Sequence, residues 1–231
     1  MSNIRELMRK NLDSGVVDLT IDKWSTFNEV VTEMLDYPHY VWRGQRSSKW
    51  LLEPTLNRNI KDNHGKAEEI VKKHLDNFQY ATRGRRGSNP KLNMTEDEWW
   101  ALGQHHGLAT PLLDWSTSPF VAAYFAFSEE DIEEDDYRAI YALHRDQVSK
   151  KSEKLNKQET TTDSLIEFIK PLSDDNPRLV NQSGLFSKGP IGQDLEGWIK
   201  SNFNQDNKIA ILIKLKIPNS ERLLALKALN R

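Results

Sequence analysis

"WWALGQHHGLATPLLDWSTSPFVAAYFAF", residues 99–127, sets two histidines, an aspartate and a Ser-Thr-Ser run directly before an apolar segment. The segment "SPFVAAYFAF" opens with Ser118, a natural N-cap, and Pro119 at the first helical position, where a missing N–H costs nothing. Apolar residues then fall on every side, so a helix buried all round is expected. Polar chemistry therefore sits beside a wholly apolar element, and the N-terminus of that helix attracts anions. Just upstream, "MTEDEWWALGQHHG" has the spacing of a capping box in Thr95 and Glu98, with Gly107 as the helix stop.

Working outward, "IDKWSTFNEVVTEMLD" repeats Trp24, Phe27, Val30, Val31, Met34 and Leu35 at helical spacing, with Thr26 and Glu29 placed as another capping box. "YVWRG" reads as a short strand and "KAEEIVKKHLDNFQY" as a helix with Ile70, Val71, Leu75 and Phe78 on one face. "RAIYALHR" and "KIAILIKLKIP" read as central strands, and "SERLLALKALNR" as a helix capped by Ser220. That last helix ends without Gly or Pro, which leaves open a continuation beyond Arg231. Helices and strands mix irregularly, so the fold expected is α+β: one domain over residues 22–231, with mixed or antiparallel sheets surrounded by helices, and a helical extension over residues 1–21.

The 231-residue chain is long enough to bury a core unaided. It has no cysteine, which excludes disulfides, thiolate metal sites and a cysteine nucleophile and points to a reducing cytosol. No apolar run reaches the roughly 18 residues of a membrane span, and the N-terminal sequence lacks the apolar core of a signal peptide. Net charge is −2, but residues 43–91 hold 12 Lys/Arg against 5 Asp/Glu, a balance of +7 that leaves −9 elsewhere. The densest basic point is "RGRRG", with Arg83, Arg85 and Arg86 in an expected loop. Such a loop contacts RNA, DNA or a pyrophosphate, or is simply solvated.

His105 and His106 are adjacent and point about 100° apart on a helix, so they do not chelate one metal together. No metal is expected. Asp114 has three readings: orienting a histidine, holding Arg43, or capping a turn. Ser116 and Ser118 lack a G-x-S-x-G elbow, and neither glycine-rich nucleotide signature is present.

"VWRGQ", then Trp50, Leu52, Pro54, Leu56 and Arg58 in the pattern W-x-L-x-P-x-L-x-R, then "GQHHGLATPLLDWSTSPFVAAYFAF" and "VNQSGLF" together resemble the FRG-domain family, named for a Phe-Arg-Gly motif. Trp42 stands in place of the Phe, and His106 in place of a Tyr in the Gln-His-Tyr-Gly segment. The likeness runs in order over roughly residues 22–220. A second resemblance is to ADP-ribosyltransferases, in which an Arg on an early strand precedes a Ser-Thr-Ser strand that runs into a helix. It implies an ADP-ribosyltransferase-like core and NAD as substrate. Arg43 would hold the NAD ribose and phosphates, with Gly44 and Gln45 beside it, and Ser116, Thr117 and Ser118 would support the nicotinamide site. His106 and Asp114 join the catalytic candidates.

Cleaving the ribose–nicotinamide bond builds positive charge on the sugar, so the site needs a cation on the pyrophosphate and an acceptor near the ring. Gly44 lets a ligand approach the backbone. Tyr124 or Phe125 either stacks on the nicotinamide or packs in the core. Where the superfamily places a Glu, this chain has Gln182; Glu196, on an expected surface-facing helix, and Asp114 are the alternatives. The resemblance implies a toxin or phage-defence effector that modifies RNA, DNA or protein, with an antitoxin as a possible partner. The alternative is a binding module without catalysis.

Overall fold

The computed structural model describes residues 4–60, 65–86, 91–130, 135–157, 165–170, 185–204 and 209–230. In chain order the elements are α1 (Ile4–Lys10), β1 (Leu12–Asp13), β2 (Val16–Thr20), α2 (Trp24–Met34) and β3 (Tyr40–Gln45). Then come α3 (Thr55–Ile60), α4 (Ala67–Ala81), α5 (Glu96–His105), β4 (Leu112–Trp115) and α6 (Pro119–Phe127). β5 (Tyr137–His144), α7 (Arg145–Lys157), β6 (Glu167–Ile169) and β7 (Leu185–Lys188) follow. The last are α8 (Leu195–Asn202), β8 (Leu212–Pro218), a 3₁₀ turn (Asn219–Glu221) and α9 (Arg222–Leu229). The α+β class expected from the sequence is what the structure has.

The chain groups into two compact units interleaved in sequence, which is why no linker is visible in its composition. The first comprises Met1–Leu52, Trp115–Leu155 and Leu195–Arg231; the second comprises Glu53–Asp114 and Asn156–Asp194. The first unit is built on a five-stranded sheet ordered β1-β2-β8-β5-β3. β2 and β8 run parallel, and the other pairs are antiparallel. Strand side chains alternate between faces. Val17, Leu19, Trp42, Ile140, Ala142, Ile213, Leu215 and Ile217 therefore share one face, where they form a core with Trp24, Phe27 and Val30 of α2 and with Ala122, Ala126 and Phe127 of α6. Trp24 stacks on Phe27 at 4.8 Å and meets Phe127 edge-on at 5.9 Å.

The second unit has the three-stranded sheet β4-β7-β6 and a core of Leu56, Ile60, Leu75, Trp100, Leu112, Ile169 and Phe186. Its α5 carries the expected capping box, with Glu98 N–H donating to Thr95 Oγ1 and Thr95 N–H to Glu98 Oε2. Gly107 takes a φ of 79°, as a helix stop requires.

Several expectations are corrected. Among the described residues of the first 21, only Ile4–Lys10 is α-helical; Val16–Thr20 is a strand paired with β8, because Val17 and Leu19 alternate onto the core face. Thr26 and Glu29 do not cap α2, which begins at Trp24; its first N–H donates instead to Glu221 Oε2 at 2.7 Å. Ser220 does not cap α9, since a 3₁₀ turn precedes that helix. Finally, α6 is not buried all round. Ala122, Ala123, Ala126 and Phe127 are buried, whereas Phe120, Tyr124 and Phe125 are exposed, Phe125 at 52%.

Candidate functional site

On β3, Trp42 and Gly44 point toward α6, so Val41, Arg43 and Gln45 project from the opposite face. A Cβ on Gly44 would lie 1.9 Å from the Ala122 carbonyl oxygen and 2.7 Å from the Ala126 nitrogen. The glycine is thus needed for the helix to lie against the strand. The expected role of Gly44, letting a ligand reach the backbone, gives way to this packing role.

Trp42 and Ser116 form an antiparallel bridge, with Trp42 N–H donating to Ser116 O at 2.7 Å and Ser116 N–H to Trp42 O at 2.8 Å. This bridge sets the Ser-Thr-Ser run beside the arginine strand. The Ser116 hydroxyl accepts from Ser118 N–H at 3.0 Å, and Ser118 Oγ caps α6 by accepting from Val121 N–H at 3.4 Å. Thr117 is exposed. At its other end, α6 is held by guanidiniums: Arg138 donates to Ala126 O, and Arg222 to the Phe127, Ser128 and Glu129 carbonyls. Tyr124 and Phe125 sit on the helix that packs against the Trp42 and Gly44 face, and Arg43 emerges from the other. Buried Gln45 donates its side-chain N–H to Leu51 O at 3.4 Å.

The strand register gives Arg43 companions on its own face. Arg43 pairs with Tyr141 of β5, Tyr141 with Lys214 of β8, and Lys214 with Asp18 of β2. Lys214 Nζ lies 5.8 Å from the Tyr141 ring centroid, and its side chain is only 13% exposed. Glu196 of α8 is turned to this face rather than outward to solvent, with Oε2 4.0 Å from Lys214 Nζ; its Oε1 holds Lys200 at 2.6 Å. The Glu196 hydrogen bond raises the Lys200 pKa, against a smaller lowering from burial. Lys216, on the same face, pairs with Asp18 at 2.8 Å. Neighbouring strands are about 4.8 Å apart, so Arg43 and Lys214, two strands apart, have backbones within roughly 10 Å. Tyr141 and Lys214 were missed from sequence, although Lys214 and Lys216 interrupt the apolar run of β8 with period two.

The β3–β5 pair is clamped at one end by buried Asp135. Its carboxylate accepts from Ser47 Oγ (2.6 Å), Lys49 N–H (3.0 Å), Tyr137 N–H (3.0 Å) and Ser48 Oγ (3.3 Å). Burial opposes ionisation of this carboxyl, but the four hydrogen bonds outweigh it and hold its pKa below the usual aspartate value.

The remaining candidates lie in the second unit. His106 is the exposed C-cap of α5, its ring 5.1 Å from that of His105 and tilted 71° to it. Asp114 accepts from Gln104 Nε2 at 2.7 Å, and Gln104 Oε1 accepts from Thr110 Oγ1. Arg83 lies over the Tyr80 ring at 4.2 Å, Arg86 over Trp99 at 4.8 Å, and Arg85 is exposed. Gln182 lies outside the described residues. Among the described residues, no helix is long and apolar enough to cross a membrane.

Residues 38–136, which include the arginine strand, the Ser-Thr-Ser turn and α6, match the family model described as the FRG domain. Over these residues the chain carries an FRG domain. Nothing among curated proteins or solved structures matches it. The matched FRG segment ends at Asp136, so Tyr141, Glu196 and Lys214 lie beyond it.

Proposed function

We propose that this protein is an NAD-dependent ADP-ribosyltransferase whose site lies around Arg43. The observation carrying this reading is the two-way backbone bridge between Trp42 and Ser116, which sets the arginine strand against the Ser-Thr-Ser turn at the head of α6. In this reading the bidentate guanidinium of Arg43 holds the pyrophosphate, and Lys214, in the same cross-strand row, adds a second cation. The bond from ribose C1′ to nicotinamide breaks with its electron pair leaving on nicotinamide. A hydroxyl or amine of RNA, DNA or protein attacks C1′ and gives up its proton to water. In this reading Glu196, whose carboxylate lies 4.0 Å from Lys214 Nζ, serves the ribose, with Gln182 and Asp114 as the other candidates. Such an enzyme acts in the cytosol as a bacterial toxin or defence effector and requires an antitoxin or a trigger to spare its host.

One observation favours the second reading, an NAD-binding module without catalysis. Glu196 is engaged by two lysines, which weakens it as a hydrogen-bond acceptor for a sugar. Incubating the purified chain with NAD labelled in its adenylate half, together with RNA, DNA and cell lysate, separates the two. The transferase reading expects label on a macromolecule and free nicotinamide, both lost in Arg43→Ala while the melting curve keeps its cooperative transition. Bound but intact NAD identifies the module, and no binding removes both readings.

A further inference from the structure

The second unit presents an arrangement that the dinucleotide reading does not use. At the last turn of α4, Tyr80 is 70% exposed, and the Arg83 guanidinium lies 4.2 Å over its ring. A few residues on, Arg86 lies 4.8 Å over the half-buried ring of Trp99, and its Nη1 is fixed by Lys91 O at 2.8 Å and Met94 Sδ at 3.3 Å. Trp99 in turn meets Phe78 edge-on at 6.3 Å. Gly84, at φ 70° and with open space around it, turns the chain so that Arg83, Arg85 and Arg86 follow the helix end closely.

Among the described residues, none of these three guanidiniums is paired with a carboxylate, although Lys91 close by is paired with Glu98 at 2.6 Å. Residues 65–91 hold seven Lys/Arg against three Asp/Glu. The negative end of the α4 dipole accounts for one nearby cation, but not for a tyrosine ring left in water or for two arginines placed over aromatic rings. Guanidiniums over aromatic rings, with N–H donors beside them, match a chain of unpaired bases joined by phosphates: the bases stack on the rings and the phosphates meet the N–H groups. A duplex offers phosphates but keeps its bases stacked on one another.

We infer that Tyr80, Arg83, Arg85, Arg86 and Trp99 form a binding surface for single-stranded nucleic acid. If the transfer proposed above occurs, this surface names single-stranded nucleic acid as its acceptor class; the binding itself does not depend on NAD chemistry.

The test is fluorescence anisotropy of the full chain, without NAD, against labelled oligo-dT and oligo-rU, a duplex of equal length, and poly-glutamate as competitor, across a salt series. The expected result is tighter binding to the single strands than to the duplex, an affinity loss of about tenfold in Tyr80→Ala, and retention in Tyr80→Phe. Arg85→Ala is expected to lower the slope of log affinity against log salt by about one. These side chains are at the surface or half-buried, and melting curves confirm that each variant is folded. Three results overturn the inference: no binding at low salt; equal binding of duplex and single strand with Tyr80→Ala unchanged; or displacement by poly-glutamate as effective as by oligo-dT. Failure of NAD transfer with binding intact leaves this surface standing and removes only the enzymatic reading.

Discussion

On one face of the five-stranded sheet, β3, β5 and β8 present Trp42, Ile140, Ala142, Ile213, Leu215 and Ile217 to the helices of a closed apolar core. On the other, the same three strands carry Arg43, Tyr141 and Lys214 in a single cross-strand row, flanked by Asp18 and Lys216. The backbone is common to both, and the second face also buries Val41, Ala139, Leu143 and Leu212, so its polar row is set among apolar neighbours. Charge set within a sheet at low exposure is costly unless it is paired or serves a ligand, whereas apolar burial is favourable by itself. Substitutions on the first face should therefore act on stability, and those of Arg43 and Lys214 in the polar row of the second on recognition.

Gly44→Ala gives the sharpest contrast. It lies on the packing face, and its new Cβ would overlap the α6 backbone at 1.9 Å and 2.7 Å, positions that no rotamer change relieves. A stability loss of about 3 kcal/mol or more is expected in chemical denaturation. Retention of wild-type stability would break the assignment of this face. Asp135→Asn probes the clamp that holds β3 to β5, and a loss of about 2 kcal/mol at neutral pH is expected, since a charged acceptor of four hydrogen bonds is weakened. The sign with pH follows from the lowered pKa of Asp135. Its contribution is complete above the unfolded-state value of about 3.9 and is lost as pH falls through the folded-state value. Denaturation midpoints across acid pH should therefore fall more steeply in the wild type than in Asp135→Asn. The smallest stability change belongs to the polar face. Lys214→Met leaves Glu196 its closer partner Lys200, so stability should stay within about 1 kcal/mol. Titration calorimetry with NAD should show a loss of affinity, and unchanged affinity would remove Lys214 from the site.

Much of the fold could be read from periodicity. β3, β5, β8, α2, α4 and α5 all announce themselves through apolar spacing, and Ser118-Pro119 marks the start of α6. Local chemistry failed where the deciding partner is remote in sequence. The cap on α2 comes from Glu221, and no pattern around Lys23 contains that information. β2 escaped notice because five residues with a central Asp18 make a weak strand signal, and its partner β8 is almost the whole chain away. The exposed side of α6 was misread because composition alone cannot say which side of an all-apolar helix lacks a neighbour. Within the candidate site, Arg43 and the Ser-Thr-Ser run stand out in sequence because motifs carry them, and the Trp42–Ser116 bridge sets their segments side by side. Tyr141, Lys214 and the turn of Glu196 toward them depend on register and helix placement, which no local motif records.

The Trp24–Glu221 hydrogen bond and the parallel pairing of Val16–Thr20 with Leu212–Lys216 bear on how the protein is made. β8 lies between β2 and β5, yet among the described strands it leaves the ribosome last. Until it arrives, β2 has lost its parallel neighbour, β5 has one open edge, and the first turn of α2 lacks its acceptor. Strands with unpaired edges invite association with other chains. A nascent chain stalled before residue 212 thus cannot complete the sheet bearing Arg43, and the row of Arg43, Tyr141 and Lys214 forms only after nearly all of these residues have been translated.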